Sequence, residues 1–222
     1  GGPGHIQAFL AAGGFDMRAE NDAELLYIAA SAALGASGTV AAGGTVGVIV
    51  DDNMTLAGVK DHSSIAAKEI TIEAETRDEL LGVLASASGA AAGSVSLAAV
   101  IGVLVNQAET VAEVGDDVML RATNGGARVT ADNQTDLFVG MMSVAAGLSA
   151  NAFGASVNTH VFKQKAHATI GKGSSLLADG GSALVRATAK NRSSDLTFSL
   201  AATGGSAALS GVVLTTVSET DV

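Results

Sequence analysis

Four uncharged stretches, residues 27–50, 82–106, 139–162 and 198–217, recur along the chain and are built mainly from Ala, Gly, Ser, Val and Leu. A recurrence of this kind at a fixed period restricts a chain to repeat architectures, in which each unit buries its faces against its neighbours. The period is carried by a strand-like run before each block, at 15–20, 70–75, 127–132 and 183–188. From Ala19 to Ala74 is 55 positions, to Ala131 another 57, and to Ala187 another 56. A second run after each block keeps the same spacing: Val59, Val114 and Ile170 lie 55 and 56 apart.

Both runs alternate with a period of two, the signature of a half-buried strand. Ile70, Ile72 and Ala74 alternate with Thr71, Glu73 and Glu75. Thr110, Ala112 and Val114 are expected to face in, with Glu109, Val111 and Glu113 facing out. The third copy repeats this with Ala166, Ala168 and Ile170 inward. Small-residue clusters at 35–38, 89–93, 147–151 and 204–206 mark turns inside the blocks, and Val-rich ends at 46–50 and 100–105 favour strands. Asp22, Asp78, Asp136 and Asp195 read as corners that close one strand before the next. Each module then holds about four short strands, and two coils per module fit the usual length of a rung. The single proline, Pro3, leaves the ladders unbroken.

The expected fold is therefore all-β: a parallel β-helix, or β-solenoid, of about four modules at 15–69, 70–126, 127–182 and 183–222, forming one segment of a longer repeat protein. Composition agrees. Aromatic residues make up 3% of the chain and charged residues 15%, so the 48% of hydrophobic residues are mostly small. Such a chain offsets the conformational entropy of folding, about 1–2 kcal/mol per residue, through continuous main-chain hydrogen bonding and close approach of small side chains. A net charge of −10 argues against nucleic acid and against an electrostatic hold on anionic lipid. With no cysteine, disulfides and thiolate metal sites are excluded.

The runs at 129–136 and 103–115, with the block at 139–157, resemble the repeat regions of bacterial large exoproteins. These are the leukotoxin-like and haemagglutinin-like autotransporter or two-partner-secretion adhesins, where alternating Val-x-Val-x-Ala runs precede Ala/Gly-rich blocks. The resemblance implies a right-handed β-helical stalk, export across the outer membrane to the cell surface, and adhesion or toxin delivery. The partners it implies are neighbouring repeats, a host-cell or other-cell receptor, and further copies of the chain.

Candidate sites are weighed against that background. The histidines are His5, His62, His160 and His167. His160 and His167 are seven apart and face opposite sides of one straight strand, so a shared metal is not expected and surface histidines are. Asp51-Asp52-Asn53 and Asp116-Asp117 carry the hard oxygen ligands calcium prefers, but with no calcium-binding repeat they read as turn carboxylates in water. The segments 43–47 and 171–174 lack a phosphate-binding signature, and 171–174 reads as a turn. Asp22, Asp78, Asp136 and Asp195, and Arg18, Arg77, Arg128 and Arg186, recur with the module as structural charges do. No catalytic, cofactor-binding or metal residue is assigned, and no enzyme activity or cofactor is expected. A stack of sugar-binding aromatics is also absent, since Tyr27 is the single Tyr and there is no Trp. The rival architectures are a membrane-embedded bundle of four small-residue helices and a self-assembling extracellular fibre subunit.

Overall fold

The computed structural model describes residues 9–10, 13–36, 40–91, 95–148 and 151–222. Pro3 and His5, and the block-centre residues Gly38, Ala92, Gly93 and Ala150, lie outside them. The described residues form twelve strands and no helix, so the uncharged blocks are not a helix bundle.

The strands fall into three sets. β1 (Phe9–Leu10), β4 (Ser64–Ala67), β7 (Met119–Ala122) and β10 (Ser175–Ala178) are short. β2 (Phe15–Gly35), β5 (Ile70–Ala90), β8 (Ala127–Gly147) and β11 (Ala183–Thr203) each run for 21 residues. β3 (Ala41–Val59), β6 (Val95–Val114), β9 (Asn151–Ile170) and β12 (Ala208–Asp221) return alongside them. Each set forms one four-stranded parallel sheet, in the orders β1-β4-β7-β10, β11-β8-β5-β2 and β12-β9-β6-β3. The chain therefore winds as a parallel β-solenoid. One module is one rung: a short strand, a long strand out, a tip, and a long strand back. This corrects the expectation of four short strands and two coils per module. A strand can run for 21 residues because Val, Ile, Thr and Ala alternate without a proline to break the ladder.

Register is kept without a slip. Phe15 stands on Ile70, Ile70 on Ala127 and Ala127 on Ala183, and the pairing continues to Gly35, Ala90, Gly147 and Thr203. On the returning sheet Ala41, Ser96, Ala152 and Ala208 are in line. Twenty-one residues at about 3.3 Å each make the slab about 70 Å wide, while four rungs about 4.8 Å apart advance it by only about 19 Å. The long dimension of this segment thus lies across the solenoid axis.

The interior is layered along the width. Beside the short sheet lies a cluster containing Ile70, Ile72, Val114, Val118, Leu120 and Val129. Halfway along lies a second, with Leu80, Leu84, Val100, Leu104, Met141 and Phe162. Near the tip only small residues fit: Ala41 with Ala90, and Ala98 with Ala145 and Ala152. There the two sheets come so close that a Cβ on Gly43 would stand 2.5 Å from the Ala87 carbonyl oxygen. Sheet spacing, rather than backbone freedom, selects that glycine.

Between the apolar layers run polar ladders whose members hydrogen-bond across the sheets and from rung to rung. Thr110 Oγ1 donates to Thr76 Oγ1 at 2.7 Å, which donates to Thr55 Oγ1 at 2.8 Å. Ser156 Oγ donates to Ser143 Oγ at 3.0 Å, which donates to Ser199 Oγ at 2.9 Å. Asp22, Asp78, Asp136 and Asp195 sit within long strands rather than at corners. They are also out of register: Asp22 stands beside Arg77, Asp78 beside Thr135, and Asp195 beside Val139. Arg18 pairs with Glu73 and Arg77 with Gln134, so the arginines do not stack in one column either.

Candidate functional surface and the buried polar groups

The corners beside the short sheet behave as the sequence predicts. Asp61 Oδ1 accepts the Asp116 N–H at 2.8 Å, and Asp116 Oδ1 accepts the Lys172 N–H at 2.7 Å. His62, Asp117 and Gly173 occupy the same corner in successive rungs, all in the left-handed region with φ of 58°, 55° and 74°. Asp116 and Asp117 are turn carboxylates, and Gly171–Ser174 is a turn. His62 is exposed, with its Nδ1 3.7 Å from Asp117 Oδ2.

Asp51, Asp52 and Asn53 depart from the expectation, because they lie inside β3 rather than at a turn. Asp52 faces outward, whereas Asp51 and Asn53 point toward the second sheet. There Asn106 Nδ2 donates to Asp51 Oδ2 at 2.9 Å and to Asp78 Oδ2 at 3.1 Å, while Asn53 Nδ2 donates to Asp78 Oδ1 at 3.0 Å. Two carboxylates are thus bridged by two amides in the middle of the slab. Burial pushes the Asp78 carboxyl above the ordinary carboxylate range; the Asn106 bond opposes the shift and the Asp51 charge adds to it.

His160 is fully buried, not a surface histidine. Its ring meets Phe162 edge-on, with centroids 6.1 Å apart and planes at 71°. Nδ1 lies 3.2 Å from Asp195 Oδ1, on the neighbouring rung. The two are not aligned for a hydrogen bond, and both ring nitrogens, Asp195 Oδ1 and Thr197 Oγ1 lack partners within the protein. Burial lowers the pKa of His160, and Asp195 opposes this. A histidine beside a carboxylate resembles part of a proton-transfer pair, but both groups sit between the sheets rather than in a cleft. His167 faces out on the same strand, so the two histidines are apart as expected. Among the described residues no cluster of three His, Asp or Glu residues is arranged to hold a metal.

No family model, curated protein or solved structure matches the chain.

The surface is divided into two halves. On the outward columns of the β2-β5-β8-β11 sheet the last charged row is Glu24, Glu79, Asp136 and Arg192. The next row toward the tip is Leu26, Leu81, Phe138 and Ser194. On the opposite sheet the corresponding rows are Asp52, Gln107, Lys163 and Glu219, then Val50, Val105, Val161 and Val217. The bond from Asn106 to Asp78 ties the two sheets together at this height, so the boundary is level on both faces. Beyond it, Asp, Glu, Lys and Arg are absent from the outward columns of the described residues.

Within this uncharged half the outside is more apolar than the inside. In the third rung the outward positions are Phe138, Gly140, Met142, Val144 and Ala146 on β8, and Phe153, Ala155, Val157, Thr159 and Val161 on β9. The inward positions include Ser143, Ser156, Asn158 and His160. On the two end rungs Leu26, Ile28, Val46, Val50, Leu196 and Leu209 are more than 60% exposed, and on the inner rungs Leu81, Leu97, Ile101, Phe138 and Met142 are 41–47% exposed. Soluble sheets place polar residues on the outside, so this sidedness is inverted. Composition alone hides it, because Ser and Thr alternate with Val and Leu along each strand.

Proposed function

We propose that the chain is a non-catalytic structural segment of an exported bacterial surface protein, a solenoid stalk that holds an adhesive or receptor-binding surface away from the cell. The observation that supports this reading is the unbroken, in-register main-chain ladder through all four rungs. Such a stack is stiff along its axis. The charge pattern fits too: apart from the sheltered Asp195, the charged side chains lie in the half beside the short sheet. The resemblance to adhesin repeats supplies export and surface location. The test is electron microscopy of the protein with limited proteolysis. A layered, protease-resistant particle about 70 Å wide is expected; a compact globule cut within β5 or β8 overturns it.

A fibre subunit is the second reading, favoured by the end rungs. The outer edges of β2 and β3, and of β11 and β12, have no neighbouring strand in the described structure. Such edges accept another rung.

A further inference from the structure

We infer that the uncharged half of the slab is a membrane-insertion surface, built to lie in the hydrocarbon of a lipid bilayer. The inference goes beyond the stalk reading and does not depend on it. Four observations converge. First, the outward columns beyond Glu79 and Gln107 are apolar apart from Asn151, Thr159, Ser194 and Thr215, while the inward columns carry Ser, Thr, Asn and His among their apolar residues, which is the sidedness of strands that face lipid. Second, the boundary is level on both faces, and the tip is uncharged too, with Leu34 and Leu148 at 92% and 81% exposure. Stacking against a second copy would require one apolar face and would leave the tip free to be polar; immersion requires both faces and the tip. Third, the strand from Leu81 to Ala90 spans about 33 Å at about 3.3 Å per residue, close to the roughly 30 Å thickness of bilayer hydrocarbon.

Fourth, main-chain polar groups must be satisfied before a strand can enter hydrocarbon, and here neighbouring long strands are paired from rung to rung up to the described residues that border the tip. The Ala91 N–H donates to the Gly35 carbonyl at 3.1 Å, Leu148 to Ala90 at 3.1 Å, and Gly204 to Gly147 at 2.8 Å. The outer edges of the end rungs have no neighbouring strand in the described structure, so immersion requires a further rung stacked on each. The polar groups of this half, including the His160–Asp195 pair, stay sheltered between the sheets. The occupant is the acyl-chain region rather than a charged headgroup, since every charged outward column lies below the boundary.

The experiment is flotation of the full chain with vesicles of zwitterionic phosphatidylcholine in high salt. Because the chain has no cysteine, single cysteines can be introduced for an environment-sensitive dye. With the dye at Val103→Cys, blue-shifted emission quenched by acyl-chain-brominated lipid is expected; at Glu109→Cys neither is. Val83→Lys with Val103→Lys, one on each face, should reduce flotation at least tenfold, while Thr71→Lys in the charged half should not. Circular dichroism confirms that each variant keeps its strands; if the paired lysines unfold the chain, the dye positions decide alone. Failure to float, or a Val103→Cys blue shift that appears with rising protein concentration and no lipid, overturns the inference, the latter because a second copy then covers the face.

Discussion

At the scale of single residues, Asp78 and His160 are ionisable groups buried in a sheet interior, and each gives stability a pH dependence of defined sign. The folded state raises the Asp78 pKa, so it binds more protons there than the unfolded chain does. Stability from this group is therefore lost as pH rises from about 4 through the raised value. Asp78→Thr copies Thr135 from the same column of the next rung. We expect denaturant midpoints of the variant to lack that decline while the parent shows it. His160 works in the opposite direction. Its folded pKa is lowered, so stability falls as pH drops below about 6.5. His160→Leu, matching Leu104 on the rung before, should gain more stability at acid than at neutral pH; an equal gain at both contradicts the assignment. Neither burial is legible in the sequence. Which side of a strand a residue takes follows from alternation, but Asp and His at inward positions read as corners and surface groups. What accommodates Asp78 is a pair of amides supplied by Asn53 and Asn106, 25 and 28 positions away.

At the scale of elements, the alternation at 70–75 and 108–114 locates the long strands correctly, and the inward sets Ile70, Ile72, Ala74 and Thr110, Ala112, Val114 are buried as expected. The extent of those strands is not legible. Gly, Ser and Asp usually punctuate a chain, yet here they lie within continuous ladders because stacked neighbours satisfy them. Gly43 is a case in point. It is a mid-strand contact where the sheets nearly touch. Gly43→Val should destabilise by about 1–3 kcal/mol, as overpacking does, with the cost visible in urea unfolding. At Gly211 a Cβ would have nothing within 4 Å, so Gly211→Ala should cost far less.

At the scale of the whole molecule, the module period together with the two-residue alternation announces a β-solenoid, while the rung size and the inverted sidedness emerge only once the strands are paired. With exposed ladder edges at both ends, the chain should associate along its axis as concentration rises. X-ray scattering from concentrated samples should then show a reflection near 4.8 Å. A particle of constant mass across the concentration range would count against open axial edges.

The places where the rungs differ in length carry a last consequence. Between β7 and β8 the corner holds two residues more than between β4 and β5, and the tip from Gly147 to Asn151 holds one fewer than from Ala90 to Val95. All of this variation falls outside the long strands. Gain or loss of a codon at a bend leaves every neighbour undisturbed. The same event early in β5 would turn the rest of that strand over, sending Ser86 and Ser88 to the exterior and Leu81 and Val83 to the interior. Inheritance in such a chain is therefore expected to be permissive at its bends and strict along its straight runs.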